Sequence, residues 1–182
     1  DITVEAINHV NNQANIDGEA GGLISVGGGD IDATLSLSTV VNIGNNANLE
    51  VVASGVQGNL TLRALNDIVV NDKVVLLAAG GLGSGISADA ILNIQTDLAK
   101  VNIGDAKLTS AGEVRLSARG QGNIKNLVSA EAYGLGTVIT GDSRAIIRPD
   151  NQVVVGGGAE ILAAGNILVS AGTDTNFKRD SY

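Results

Sequence analysis

The sequence has no cysteine, methionine or tryptophan, a single histidine and a single proline, and aromatics make up only 2% of its 182 residues. Without cysteine there can be no disulfide and no thiolate metal ligand. With His9 the sole histidine, no multi-histidine metal centre can be assembled, and His9 is expected on a solvated turn beside Asn8 and Asn11. A lone proline, Pro149, argues against a proline-rich linker. No apolar run approaches the roughly 20 residues of a membrane-spanning helix; the longest, Val74 to Ile86, is short and broken by glycines. Basic residues are scarce too. Eleven Lys and Arg against nineteen Asp and Glu give a net charge of −8 and a pI near 4.4, which repels nucleic-acid phosphates and anionic lipid surfaces. The expectation is no nucleic-acid partner and no membrane insertion. The chain has no initiator Met and no signal peptide, so it reads as a processed or excised piece of something longer.

What is present is 44% apolar residues, almost all Val, Ile, Leu and Ala, with 25 glycines and many Asn and Asp marking turns. That is the composition of short strands rather than long helices. One stretch recurs: Gly58-Asn-Leu-Thr-Leu-Arg-Ala64 has counterparts in Asp1-Ile-Thr-Val-Glu-Ala6, Gly112-Glu-Val-Arg-Leu-Ser-Ala118 and Gly165-Asn-Ile-Leu-Val-Ser-Ala171. The closing alanines, Ala6, Ala64, Ala118 and Ala171, step by 58, 54 and 53 residues. Within each copy the apolar residues alternate with polar ones, as in Leu60, Leu62 and Ala64 around Thr61 and Arg63, the signature of a strand with one buried face.

The remainder of the period repeats in order. A Gly-Leu pair opens each unit at Gly22, Gly81 and Gly134. An Ala-x-Leu/Ile strand follows at Ala33, Ala90 and Ala145. A short strand ended by glycine comes next, Val41-Asn-Ile-Gly44, Val101-Asn-Ile-Gly104 and Val153-Val-Val-Gly156. Units of approximately 7–64, 65–118 and 119–171 result, with 172–182 a cap or a cut end. An insertion in the first unit falls in a surface loop between Ala53 and Gln57. Fixed motif order in successive units argues for an all-β solenoid rather than an antiparallel sandwich or a propeller. Taking coils of roughly 18 to 20 residues, the chain would wind nine or ten turns into a rod on the order of 45 Å long.

The run Gly21 to Asp30, the Val-Asn-Ile-Gly strands and the passage Gly58 to Ile68 together resemble the repeats of bacterial filamentous haemagglutinin and leukotoxin-type large exoproteins, over nearly the whole chain. The resemblance implies a right-handed parallel β-helix, the shaft of a secreted or surface-attached adhesin, lying outside the cell. A non-enzymatic shaft module for adhesion or for biofilm and fibre formation is the expected function. Its partners would be neighbouring copies or flanking repeats. The rival is a binding module that recognises a host glycan or protein through loops such as that between Ala53 and Gln57 or the turn Gly81 to Gly85.

Candidate chemistry is thin, and no catalytic, cofactor or metal residue is assigned. Gly81-Leu-Gly-Ser-Gly85 is followed by no Lys-Ser/Thr and no helix pattern, so it reads as a tight turn rather than a phosphate cradle. Asp30 and Asp32 after three glycines resemble one fragment of a calcium-binding repeat that is not iterated, leaving weak calcium binding as the most they would support. Asp142, Asp150 and Asp174 read as solvated turn residues. A polysaccharide-cleaving β-helix enzyme would need clustered carboxylates and stacking aromatics; here the acids are dispersed and the aromatics are Tyr133, Phe177 and Tyr182. Thr3, Thr34, Thr61, Thr109 and Thr137 do not form the ranks of an ice-binding face.

Overall fold

Alternation at every second residue dictates extended chain, and it persists here through long stretches. A computed structural model of the protein describes residues 1–52 and 58–172. The expected insertion loop at 53–57 and the polar terminal run at 176–182 lie outside the described residues. Eight strands occupy most of the rest: β1 (Ile2–Ile43), β2 (Asn48–Val51), β3 (Leu60–Ile103), β4 (Lys107–Ser110), β5 (Val114–Tyr133), β6 (Thr137–Val155), β7 (Glu160–Ala163) and β8 (Ile167–Ala171). No helix occurs among the described residues. All pairing is parallel. β1 pairs with β3, β3 with both β5 and β6, and β5 with β8, while β2, β4 and β7 form a second, three-stranded sheet. The large sheet has open edges and does not close into a barrel.

The register corrects the expected coil size. Ile2 pairs with Leu60, Leu60 with Val114 and Val114 with Ile167; on the return path Ile43 pairs with Ile103 and Ile103 with Val155. Partners are thus 52 to 60 residues apart, not 18 to 20. One layer is a whole unit. β1 and β2 make the first layer, β3 and β4 the second, and β5, β6 and β7 the third, with β8 starting a fourth. Nine or ten coils in a 45 Å rod are therefore replaced by little more than three layers, roughly 15 Å deep at about 4.8 Å per step.

Each layer is a flattened loop. In the middle one the chain runs outward through Leu60 to Ala78, turns at a tip around Gly80–Gly83, and returns through Ile86 to Ile103. Outgoing and returning arms face each other: Val74, Leu76 and Ala78 share a core cluster with Ile86, Ala88 and Ala90, and Ile68 and Val70 share one with Leu92 and Ile94. Bulk is matched across the gap. A Cβ at Gly29 would lie 2.9 Å from Ile16 Cγ2, and one at Gly141 3.4 Å from Val128 Cγ1, so a residue without a side chain is what lets the arms close there. At the base the small sheet seals the loop, packing Leu108 against Leu60, Leu62, Val101 and Ile103.

Two irregularities set the phase. Leu35 pairs with Ile94 but Ser36 pairs with Thr96, so Gln95 is an extra residue in the middle layer, a bulge. Before it the inward residues of β3 are Ala90, Leu92 and Ile94; after it they are Asp97, Ala99, Val101 and Ile103. The second lies at the tip, between Gly22 and Ile24.

Candidate functional site

Polar residues at inward positions are the places where a packed apolar interior departs from its own rule, and three of them cluster beside the Gln95 bulge. Asn66 follows Leu60, Leu62 and Ala64 on the inward side of β3 and is fully buried. Its Nδ2 donates to Asp97 Oδ1 at 2.7 Å and to the Leu98 carbonyl at 2.9 Å, while its Oδ1 accepts from the Thr39 hydroxyl in the layer below. Thr39 and Asp97 are buried as well. Burial pushes the Asp97 carboxyl above the usual carboxylate range, and the Asn66 hydrogen bond pulls it partly back. The sequence signal for this group is the polar residue Asn66 interrupting an apolar alternation.

Outside the core, one polar ladder crosses all three layers. His9 pairs in register with Asp67, and Asp67 with Gln121. His9 Nδ1 is 2.9 Å from Asp67 Oδ2, Gln121 Nε2 donates to Asp67 Oδ1 at 2.8 Å, and Arg119 Nη2 donates to Gln121 Oε1 at 2.7 Å. His9 is therefore exposed as expected, but it lies within β1 rather than on a turn.

At the turns, a side-chain oxygen of one layer accepts a backbone N–H of the next. Asp1 Oδ1 accepts from Asn59 N at 2.7 Å and Asn59 Oδ1 from Glu113 N at 2.9 Å; Asn45 Oδ1 accepts from Asp105 N at 2.9 Å and Asp105 Oδ1 from Gly158 N at 3.0 Å. These Asn and Asp residues satisfy amides that the sheet ladders leave over. Their chemistry is adhesive between layers.

The remaining sequence candidates separate. Gly81 to Gly85 occupies the tip, where a Cβ on neighbouring Gly80 would fall 1.8 Å from the Gly83 carbonyl oxygen; the glycines serve chain closure. Asp30 and Asp32 are both exposed. Asp30 stacks with Asp89 and Asp142, and Asp32 stacks with Ile91 and Arg144. Among the described residues no three His, Asp or Glu side chains are grouped to hold a metal. Thr3 and Thr61 do stack, but Arg115 ends that column; Thr109 stacks between Glu50 and Leu162. One groove, of about 400 Å³, is lined by Val69, Val70, Asn71, Asn123, Ile124 and Lys125. It contains an amide-rich rim and one lysine, and no nucleophile with a base.

Compared with known proteins, the chain matches no family model, no curated protein and no solved structure. What it does must be argued from its own geometry.

Proposed function

We propose that the chain is a right-handed parallel β-solenoid module that serves as a stiff spacer in an extracellular filament or adhesin. The observation that carries this reading is the division of labour between the two faces of each stacked column. Inward, Val4, Leu62, Leu116 and Val169 follow one another in register, all aliphatic; one residue on, the column changes from acid to base to hydroxyl through Glu5, Arg63, Ser117 and Ser170. A scaffold needs the first constancy and tolerates the second. Rigidity comes from hydrogen bonding on both edges of the middle layer, with stability adding layer by layer.

The reading is tested on the organism that makes the protein, with an antibody raised against this chain. Immunogold electron microscopy should decorate extracellular filaments. Label confined to the cell interior would overturn the proposal.

A further inference from the structure

The Gly-Leu pair that opens each unit lies at the tip, where its glycines serve chain closure and its leucines are left outside the core. Leu23, Leu82 and Leu135 stand one per layer and are 67%, 57% and 86% exposed. Leu82 carries the argument. It belongs to the middle layer, which has a layer on either side, and among the described residues of β3 it is the only exposed large aliphatic side chain. Outward positions elsewhere change chemistry from layer to layer, as Glu5, Arg63 and Ser117 do. An outward leucine kept in all three layers does not fit a surface left free to vary. A Cβ at Gly81 would lie 3.7 Å from Leu23 Cδ1, so the leucine of one layer leans on the next and the three form a ridge.

Beside the ridge, the middle layer turns Gly83 and Gly85 outward, and among the described residues nothing lies within 4 Å of a Cβ at Gly85. In that column the neighbouring layers carry Val26 and Val138, which makes an apolar-walled seat. Charge says what fits there. Around the tip, residues 17–30, 75–89 and 129–142 hold Asp17, Glu19, Asp30, Asp89, Glu131 and Asp142, and not one of the chain's eleven Lys and Arg. A second copy would bring the same acids to the same rim, and an anionic lipid surface would meet them too. A cationic partner is attracted instead. Spacing narrows its form. Successive layers step by about 4.8 Å, which matches the roughly 4.5–6.0 Å between residues three or four apart on a helix better than the roughly 6.6 Å between like-facing residues of a strand.

We propose that the tip is a docking surface for a basic amphipathic helix, whose apolar stripe packs along Leu23, Leu82 and Leu135 and whose Lys or Arg residues face the acids on either side. This goes beyond the spacer reading and does not depend on where the chain is deployed.

The test uses the full chain and a fluorescein-labelled Leu/Lys peptide of about 18 residues, five helical turns with leucine at every third or fourth position. Anisotropy should show saturable binding. Leu82→Ser combined with Leu135→Ser should weaken it about tenfold or more, with the strand spectrum intact because both side chains are exposed. Leu127→Ser, which removes an exposed leucine stacked on Lys73 away from the tip, should leave binding as in the parent. Glu19→Gln combined with Asp89→Asn keeps the ridge and should both weaken binding and flatten its salt dependence. Binding undiminished by the tip leucine changes, a Ser/Lys peptide that binds as tightly as the Leu/Lys one, or no binding at all would overturn the proposal. So would tip-dependent self-association in sedimentation, which gives the ridge to a second copy, or tip-dependent partition onto phosphatidylcholine vesicles, which gives it to a membrane.

Discussion

Asp72 occupies an inward position of β3 with 1% of its surface exposed. Its Oδ1 accepts from Asn12 Nδ2 at 3.2 Å and from Ala14 N at 3.1 Å, but its buried Oδ2 has no hydrogen-bond partner. The next residue in its column, Asn126, has a buried Oδ1 equally without a partner, while its Nδ2 donates to the carbonyls of Ala90 and Arg144. Two acceptors are thus stacked with no donor between them. Asp72→Asn has the same shape, keeps Oδ1, and puts an NH2 where the bare carboxylate oxygen was, in the column of Asn126. A buried polar atom left unsatisfied costs about 1–3 kcal/mol, so the variant should be more stable than the parent by about that much at pH 7. For a chain of this size each kcal/mol moves Tm by roughly 2–4 °C. The pH dependence follows from the direction of the shift. Burial raises the Asp72 pKa above its ordinary 3.8, against the lowering effect of the Ala14 N–H. The parent therefore holds its full Asp72 stability below 3.8 and loses it as pH rises through the raised value. The advantage of Asp72→Asn should accordingly vanish in acid and be complete at neutrality. Guanidinium unfolding followed by circular dichroism across this range reads both. A variant less stable than the parent at pH 7, or equally favoured at both ends, would refute the reasoning.

Leu62→Asp puts a charge at a fully buried position and should abolish the cooperative unfolding transition. Arg63→Glu, one residue along on the outer face, loses an ion pair of 3.5 Å with Glu5 and should cost no more than about 1 kcal/mol; similar losses in both would reject the strand phase. Gly80→Ala forces a methyl into the Gly83 carbonyl and should lower Tm clearly, whereas Gly157→Ala, with open space around it, should leave Tm unchanged or slightly raised. Asn66→Ala strips Thr39 and Asp97 of their shared buried partner and should destabilise by about 2–4 kcal/mol in denaturant unfolding. A glycan array probed with the parent and with a tip variant carrying Ser at Gly81 and Gly83 discriminates the loop-recognition alternative: tip-dependent binding would displace the pure spacer.

The strands and their inward faces were legible because the alternation is nearly unbroken: Leu60, Leu62, Ala64, Ile68 and Val70 all point inward as the pattern demands. The buried polar group was only half legible. Asn66 is a visible interruption of an apolar series, but Asp97 becomes inward only because Gln95 shifts the phase by one residue, and a one-residue shift reverses every side chain after it. Nothing in the local sequence Asn93 to Leu98 distinguishes a bulge from a continuous strand. The partnership of Thr39 with Asn66 is less legible still, since it joins residues 27 apart through stacking and facing at once.

The size of the coil is written in the repeat itself. Parallel stacking in register brings like residues into one column, since each column has one width and one environment. Likeness along the sequence should then recur at the stacking distance. The recurrence of Val-Asn-Ile-Gly between Val41 and Val101 is a step of 60 residues, and that is the pairing observed. No likeness recurs at 18 to 20. A coil of 18 to 20 residues is a common solenoid width, but the repeat in this chain has a different period. The three strand types within a unit differ from one another because they are not stacked on each other; the first opens the outgoing arm, and the Ala-x-Leu/Ile and Val-Asn-Ile strands both lie on the returning arm of a single flattened layer. A repeat period in such a chain is therefore a direct reading of how far the backbone travels before it meets its own hydrogen-bonding partner.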